Sequence, residues 1–77
     1  MNAQPILDAL NRGVVHIWFT SLNSGNELDG QFTLKGRNVG RIDPTSSKIL
    51  AFDVVRKRWE DIEVHTINQW VSVQENP

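Results

Sequence analysis

The hydrophobic positions change their period once along the chain, from a helical spacing to an alternating one. Within residues 2–12, the apolar side chains of Ile6, Leu7 and Leu10 recur at helical spacing, and Gly13 suits a C-terminal stop. The segment holds about two to three turns, and a helix this short is not stable in isolation. We therefore expect the helix to dock its apolar side chains on the rest of the protein.

After the helix, apolar and polar residues alternate in short runs, which predicts β-strands. In the first run, Val15, Ile17 and Phe19 alternate with His, Trp and Thr. Later strands are predicted at residues 27–35, 49–55, 59–64 and 67–73. Asn, Ser and Gly indicate a turn at 21–26, and Gly, Pro and Ser indicate a loop at 36–47.

Five short antiparallel strands in a chain of this size predict a closed barrel, because closure removes unpaired edges. Gly30 lies inside the second strand, where the missing Cβ permits a sharp bend. The predicted fold is mainly β, with a short N-terminal helix and a five-stranded, strongly bent antiparallel barrel. The predicted single domain, 1–77, divides into a helix at 2–12, a barrel at 14–73 and a tail at 74–77.

Composition narrows the class of protein. The 77 residues include no cysteine, which excludes a disulfide scaffold, a thiolate zinc site and a cysteine nucleophile. No apolar run is long enough to span a bilayer, and the first residues lack the pattern of a signal peptide. We expect an intracellular, cytoplasmic protein that contacts no membrane and gains stability by oligomerisation.

Two tryptophans suggest where subunits would meet. Trp18 and Trp70 each alternate with the aliphatic residues of their strand, so a monomer would expose both rings to water. The alternative is that the docked helix covers one of them. The predicted oligomer interface comprises Trp18, Trp59, Ile62, Val64, Trp70 and Val71.

Two stretches of the chain resemble the Sm-like family, particularly bacterial Hfq. Residues 4–34, QPILDALNRGVVHIWFTSLNSGNELDGQFTL, are similar to the family's opening helix, strand and bent strand, with the x-G-x pattern at 29–31. Residues 62–73, IEVHTINQWVSV, resemble its closing strand, tight turn and strand. Residues 52–67 also resemble the strand–turn–strand of small phage and bacterial SH3-like proteins.

The resemblance implies a homo-oligomeric ring of about five to seven subunits, formed when the fourth strand of one subunit pairs with the fifth strand of the next. It also implies binding of single-stranded, A/U-rich RNA by the loops near the pore. In this chain those loops are residues 36–47 and the connection at 65–66.

Charge is distributed unevenly, independently of any family. Residues 35–58 hold seven Lys or Arg against two Asp, whereas the rest of the chain holds one Arg against seven acids. Local clusters of this kind bind phosphate even when net charge is near zero. The predicted nucleic-acid-binding residues are Lys35, Arg37, Asn38, Arg41, Arg56, Lys57, Arg58 and His65. The alternative is a charge-balanced surface in which 56–58 pair with Glu60, Asp61 and Glu63.

Some of these residues have a specific chemistry. Arg37 and Asn38 lie between glycines, so a base or phosphate can approach them closely. His65 occupies the tight turn, where its imidazole can stack on a nucleotide or bond the backbone instead. Trp59 is a candidate for base stacking, with packing in the core or at the rim as the alternative.

Catalysis has little support in the sequence. Asp61 and Glu63 share one face of a strand beside arginines, which is typical of a solvated stripe. His16 and His65 do not have metal-ligand spacing, and no nucleophile or phosphate-loop motif occurs. We expect a non-enzymatic ring protein, with no cofactor or metal, that binds single-stranded RNA or DNA. The alternative is a small phage or bacterial barrel that binds a host protein or sequesters a nucleotide-type ligand.

Overall fold

The computed structural model describes residues 2–37 and 42–73. One short helix precedes five antiparallel strands, which form a single sheet that does not close. The elements are α1 (Gln4–Arg12), β1 (Val14–Thr20), β2 (Glu27–Thr33), β3 (Lys48–Asp53), β4 (Arg58–Glu63) and β5 (Ile67–Ser72). A 3₁₀ turn, Val64–Thr66, joins the last two strands. The predicted helix and five strands are confirmed, and the predicted closed barrel is not.

The strand order explains where the sheet opens. It runs β4-β3-β2-β1-β5, so β4 and β5 are the edge strands. β1 pairs along its whole length with β2, whereas β2 and β3 pair only through Phe32–Asp53 and Thr33–Phe52. The first half of β2 therefore has a strand partner on one side only within the described sheet.

The inward side chains of the strands share one core with the helix. Leu10, Ile17 and Ile49 are fully buried in this cluster. The helix is held to β2 by the backbone N–H of Leu34, which donates to the carbonyl of Leu10 at 3.0 Å. Docking of the predicted apolar stripe is thus confirmed, and its burial stabilises a helix too short to persist alone.

A bulge in β5 reverses the expected direction of Trp70. Trp18 pairs with Gln69, but the next residue, Phe19, pairs with Ile67, so Asn68 is the extra residue. Both Ile67 and Trp70 consequently point inward, and both pack against the core. The expectation that a single chain would expose the Trp70 ring to water was wrong, because the ring packs against the core. The alternative, cover by the helix, agrees with its place beside Pro5 and Ile6.

Gly30 provides a test of the core. A Cβ at this position would lie 2.9 Å from the buried ring of Phe32 and 3.6 Å from Asp53 Oδ2. We predict that Gly30→Ala lowers the free energy of unfolding by about 1–3 kcal/mol, because the ring has no room to move. Urea unfolding measures this loss. The matched control is Gly13→Ala, where no atom lies within 4 Å. Equal stability of the two variants would contradict the prediction.

Candidate nucleic-acid interface

Three side chains form an exposed stack on the outer face of β3 and β4. The rings of Phe52 and Trp59 meet edge to face at 5.3 Å, on strand positions that pair directly. The guanidinium carbon of Arg37 lies 3.8 Å from the centroid of the Phe52 ring. Trp59 is 43% exposed. We call Arg37, Phe52 and Trp59 the aromatic–basic platform, because it offers stacking surface and positive charge together.

Two further cations of the basic segment carry no ion pair with any described residue. Lys35 lies in the turn after β2, and Lys57 closes the turn between β3 and β4. Both side chains are exposed. Lys57 has a φ of +59°, the left-handed region that glycine favours. Lys57, the residue before β4, therefore has a strained backbone conformation.

Other cations of the basic segment are paired within the chain. Lys48 Nζ lies 3.5 Å from Glu63, and Arg58 Nε lies 2.6 Å from Glu60. Arg56 Nη1 lies 3.1 Å from Asp53. The alternative of a charge-balanced surface thus holds for part of the cluster, although Arg56 pairs with a different acid than expected.

Asp53 organises the turn that presents these cations. Its side chain is fully buried and accepts bonds from the backbone N–H of Val55 at 3.0 Å and of Arg56 at 2.9 Å. Burial alone raises the pKa of this carboxyl, but these bonds and the Arg56 charge outweigh it, so the pKa lies below its ordinary value of 3.8. The chain turns at Asp53 for this reason, two residues before the predicted strand end. In the sequence, the only indication of this turn is an aspartate within the apolar run 49–55.

The structure does not bring all predicted binding residues together. His65 is exposed in the 3₁₀ turn after β4, with Nδ1 3.5 Å from Glu63. Lys57 precedes the other end of β4, and six strand residues span about 20 Å. The His65 turn is therefore remote from the platform. Asn38 and Arg41 lie outside the described residues.

The predicted interface residues divide by exposure. Ile62 and Val64 are 1% and 5% exposed, so their side chains belong to the core of the single chain. Val71 and Trp59 are each 43% exposed and lie on the edge strands β5 and β4. Trp18 is half-buried on the outer face of β1. Of the predicted set, these last three residues and the half-buried Trp70 offer side-chain surface.

A groove of about 440 Å³ lies between β4 and the β1–β2 hairpin. Its apolar lining includes Phe19, Phe32 and Ile62. Its charged lining consists of Lys48, Arg56 and Arg58 with Asp29, Asp53, Glu60, Asp61 and Glu63. Since carboxylates outnumber cations, the groove does not favour a phosphate-bearing ligand.

Other site chemistries find no support in residues 2–37 and 42–73. No group of three or more His, Asp or Glu side chains in these ranges has the arrangement of a metal site. None of the described helices combines the length and apolarity needed to cross a membrane.

Comparison with known proteins adds no relative. The chain matches no protein-family model, no curated protein and no solved structure. The resemblance to Sm-like proteins therefore stays a prediction.

We predict that acid removes the contribution of Asp53 to stability. Because its folded-state pKa is depressed, the stabilisation is present above the ordinary value of 3.8 and is lost as pH falls below it toward the folded-state value. At neutral pH, Asp53→Asn should lower the free energy of unfolding by about 1–3 kcal/mol. Denaturant unfolding over a pH series measures the difference. A gap between wild type and variant that stays constant below pH 3.8 would contradict this.

Substitutions of Lys57 distinguish the effect of its backbone strain on stability from the effect of its charge. We predict that Lys57→Gly raises the free energy of unfolding by up to about 1 kcal/mol, because glycine adopts a positive φ without strain. Thermal and denaturant unfolding measure the gain. Lys57→Ala removes the same charge and keeps the strain, so it is the matched control. A Lys57→Gly protein no more stable than the alanine variant would refute the argument.

Proposed function

We propose that the chain is a non-enzymatic module that binds single-stranded nucleic acid, RNA in particular, and acts in RNA or DNA processing or regulation. The observation that carries this proposal is the stacking of Arg37 on Phe52 beside the exposed indole of Trp59. An unpaired base stacks on such a surface, and each stacked base contributes about 1–3 kcal/mol.

The charges around the platform favour contact with only a short stretch of nucleic acid. Lys35 and Lys57 have no described ion-pair partner and are available for phosphate. Asp61 lies on the same outer face as Trp59, two residues along β4, or about 7 Å away. Its carboxylate repels phosphate at that point. One subunit therefore holds only a short stretch of strand, and high affinity requires several subunits.

We further propose an Sm-like ring of about five to seven subunits, in which β4 of one subunit pairs with β5 of the next. Both strands are edges of the described sheet, so each has one side without a strand partner. Val71 supplies exposed apolar surface on the β5 edge, whereas Trp59 on β4 stays available to the platform. Such a ring repeats the platform once per subunit, which strengthens binding to a continuous strand.

A protein partner is the second candidate function. Pairing of Lys48, Arg56 and Arg58 with acids of the same chain weakens the attraction for phosphate. Leu50 and Val55 are exposed near the platform, which favours a partly apolar partner. The acidic lining of the groove argues against sequestration of a nucleotide.

Fluorescence anisotropy with short A-rich, U-rich and mixed oligonucleotides tests the nucleic-acid function. We predict that Arg37→Gln lowers affinity about three- to tenfold at low salt, and that Trp59→Leu lowers it about tenfold. Arg12→Gln makes the same charge change at the end of α1, a helix that packs on β1, β2 and β5, and should bind as the wild type does. Absence of binding by the assembled wild type at low salt, or equal losses for Arg37→Gln and Arg12→Gln, would overturn the proposal.

The ring is tested by light scattering after nuclease treatment and size-exclusion chromatography. We predict a mass of about five to seven subunits, independent of nucleic acid. A Val71→Glu variant places a charge on the β5 edge and should lower the subunit number. A monomeric wild type contradicts the ring without bearing on the platform itself.

A further inference from the structure

The outer face of the other half of the sheet, formed by β1, β2 and β5, is acidic. β1, β2 and β5 contain no Lys or Arg, whereas β2 contributes Glu27 and Asp29. Both acids lie on the same outward side as Trp18, because Trp18 pairs directly with Asp29 and Thr20 with Glu27. We call Trp18, Glu27 and Asp29 the acidic–aromatic face.

Contacts within the chain hold this face in place. The imidazole of His16 stacks on the indole of Trp18, with ring centroids 4.2 Å apart. His16 Nε2 lies 2.8 Å from Asp29 Oδ2. On the other side, the amide of Asn68 donates to Glu27 Oε2 at 2.9 Å. The indole and the two carboxylates are thereby fixed relative to one another before any ligand binds, which lowers the entropic cost of binding.

We propose that the acidic–aromatic face docks an arginine- or lysine-bearing segment of a partner protein. A guanidinium or ammonium group lies favourably over an indole, and tryptophan is the best of the aromatic side chains for this contact. The side chain of Asp29 is 56% exposed beside the ring, so its carboxylate can pair with the same cation.

Charge decides between the possible occupants. None of the three strands that form this face carries a lysine or arginine, so the carboxylates of Glu27 and Asp29 repel the phosphates of nucleic acid. The inward sides of both halves share one core, and the acidic–aromatic face lies on other strands than the Phe52–Trp59 pair. A basic protein segment therefore binds here without displacing a strand from Arg37. The inference goes beyond the proposed function and does not depend on it.

Nuclear magnetic resonance titration of the ¹⁵N-labelled protein tests the docking. The probe is the peptide acetyl-Gly-Arg-Gly-Arg-Gly-amide, and its control contains citrulline, which has the same shape without charge. We expect the arginine peptide to shift the indole N–H of Trp18 and the amides of β2 saturably, and citrulline to lower the affinity at least about fivefold. Equal shifts from both peptides, or shifts confined to β3 and β4, would overturn the proposal.

Matched variants locate the contact. Glu27→Gln combined with Asp29→Asn should lower affinity for the arginine peptide about five- to tenfold, and Trp18→Leu about two- to fivefold. The control combines Asp61→Asn with Glu63→Gln, which removes two carboxylates from the outer face of β4 and should leave affinity unchanged. Equal losses in the two double variants would refute the assignment. Concentration-dependent shifts of Trp18 without peptide would mean that a second copy occupies the face, which also refutes it.

Discussion

The buried carboxylate of Asp53 binds the backbone of the turn that follows it, and the outer surface of β3 and β4 depends on this contact. By accepting the N–H groups of Val55 and Arg56, it ends β3 and fixes the register of β4. That register sets Trp59 directly beside Phe52 on the outer face. The same carboxylate lies close to β2, because its Oδ2 is 3.6 Å from the position that a Cβ of Gly30 would take. A local bond in the chain thus determines where the platform forms.

The pleat of the sheet then separates two kinds of chemistry. Alternation along β3 and β4 turns Asp53 inward and Phe52 outward, so aromatic surface faces solvent while the acid stabilises the turn. On β1 and β2 the same alternation turns Ile17 inward and Trp18 outward beside Asp29. Both outer faces carry a tryptophan: Trp59 lies beside Phe52, on which Arg37 stacks, whereas Trp18 lies beside Asp29. A net charge near zero therefore conceals an uneven distribution of charge over the outer surface.

Much of the fold follows from periodicity, and what does not follow depends on contacts between distant residues. The helix and five strands have strong local patterns, and the structure confirms them. The direction of Trp70 depends on the bulge at Asn68, which arises only when β5 pairs with β1, so alternation within β5 alone gives the wrong parity. Closure was expected from strand number, yet β2 and β3 pair over two residues only. Of the candidate site, the sequence indicated Arg37 and Trp59 separately. Their connection through Phe52 required the structure, because residue 37 meets β3 only in the folded chain.

Ion pairing sets how strongly the basic segment attracts phosphate. An arginine paired at the surface keeps its charge, but the neighbouring carboxylate cancels most of its field at distances larger than the separation of the two groups. Arg56 and Arg58 are in this situation, whereas Arg37 lies on a ring that has no charge to cancel it. Among the described residues, the cations of the segment without an ion pair are Lys35, Arg37 and Lys57. In the proposed ring, the two edge strands would bring one such set per subunit to a continuous strand.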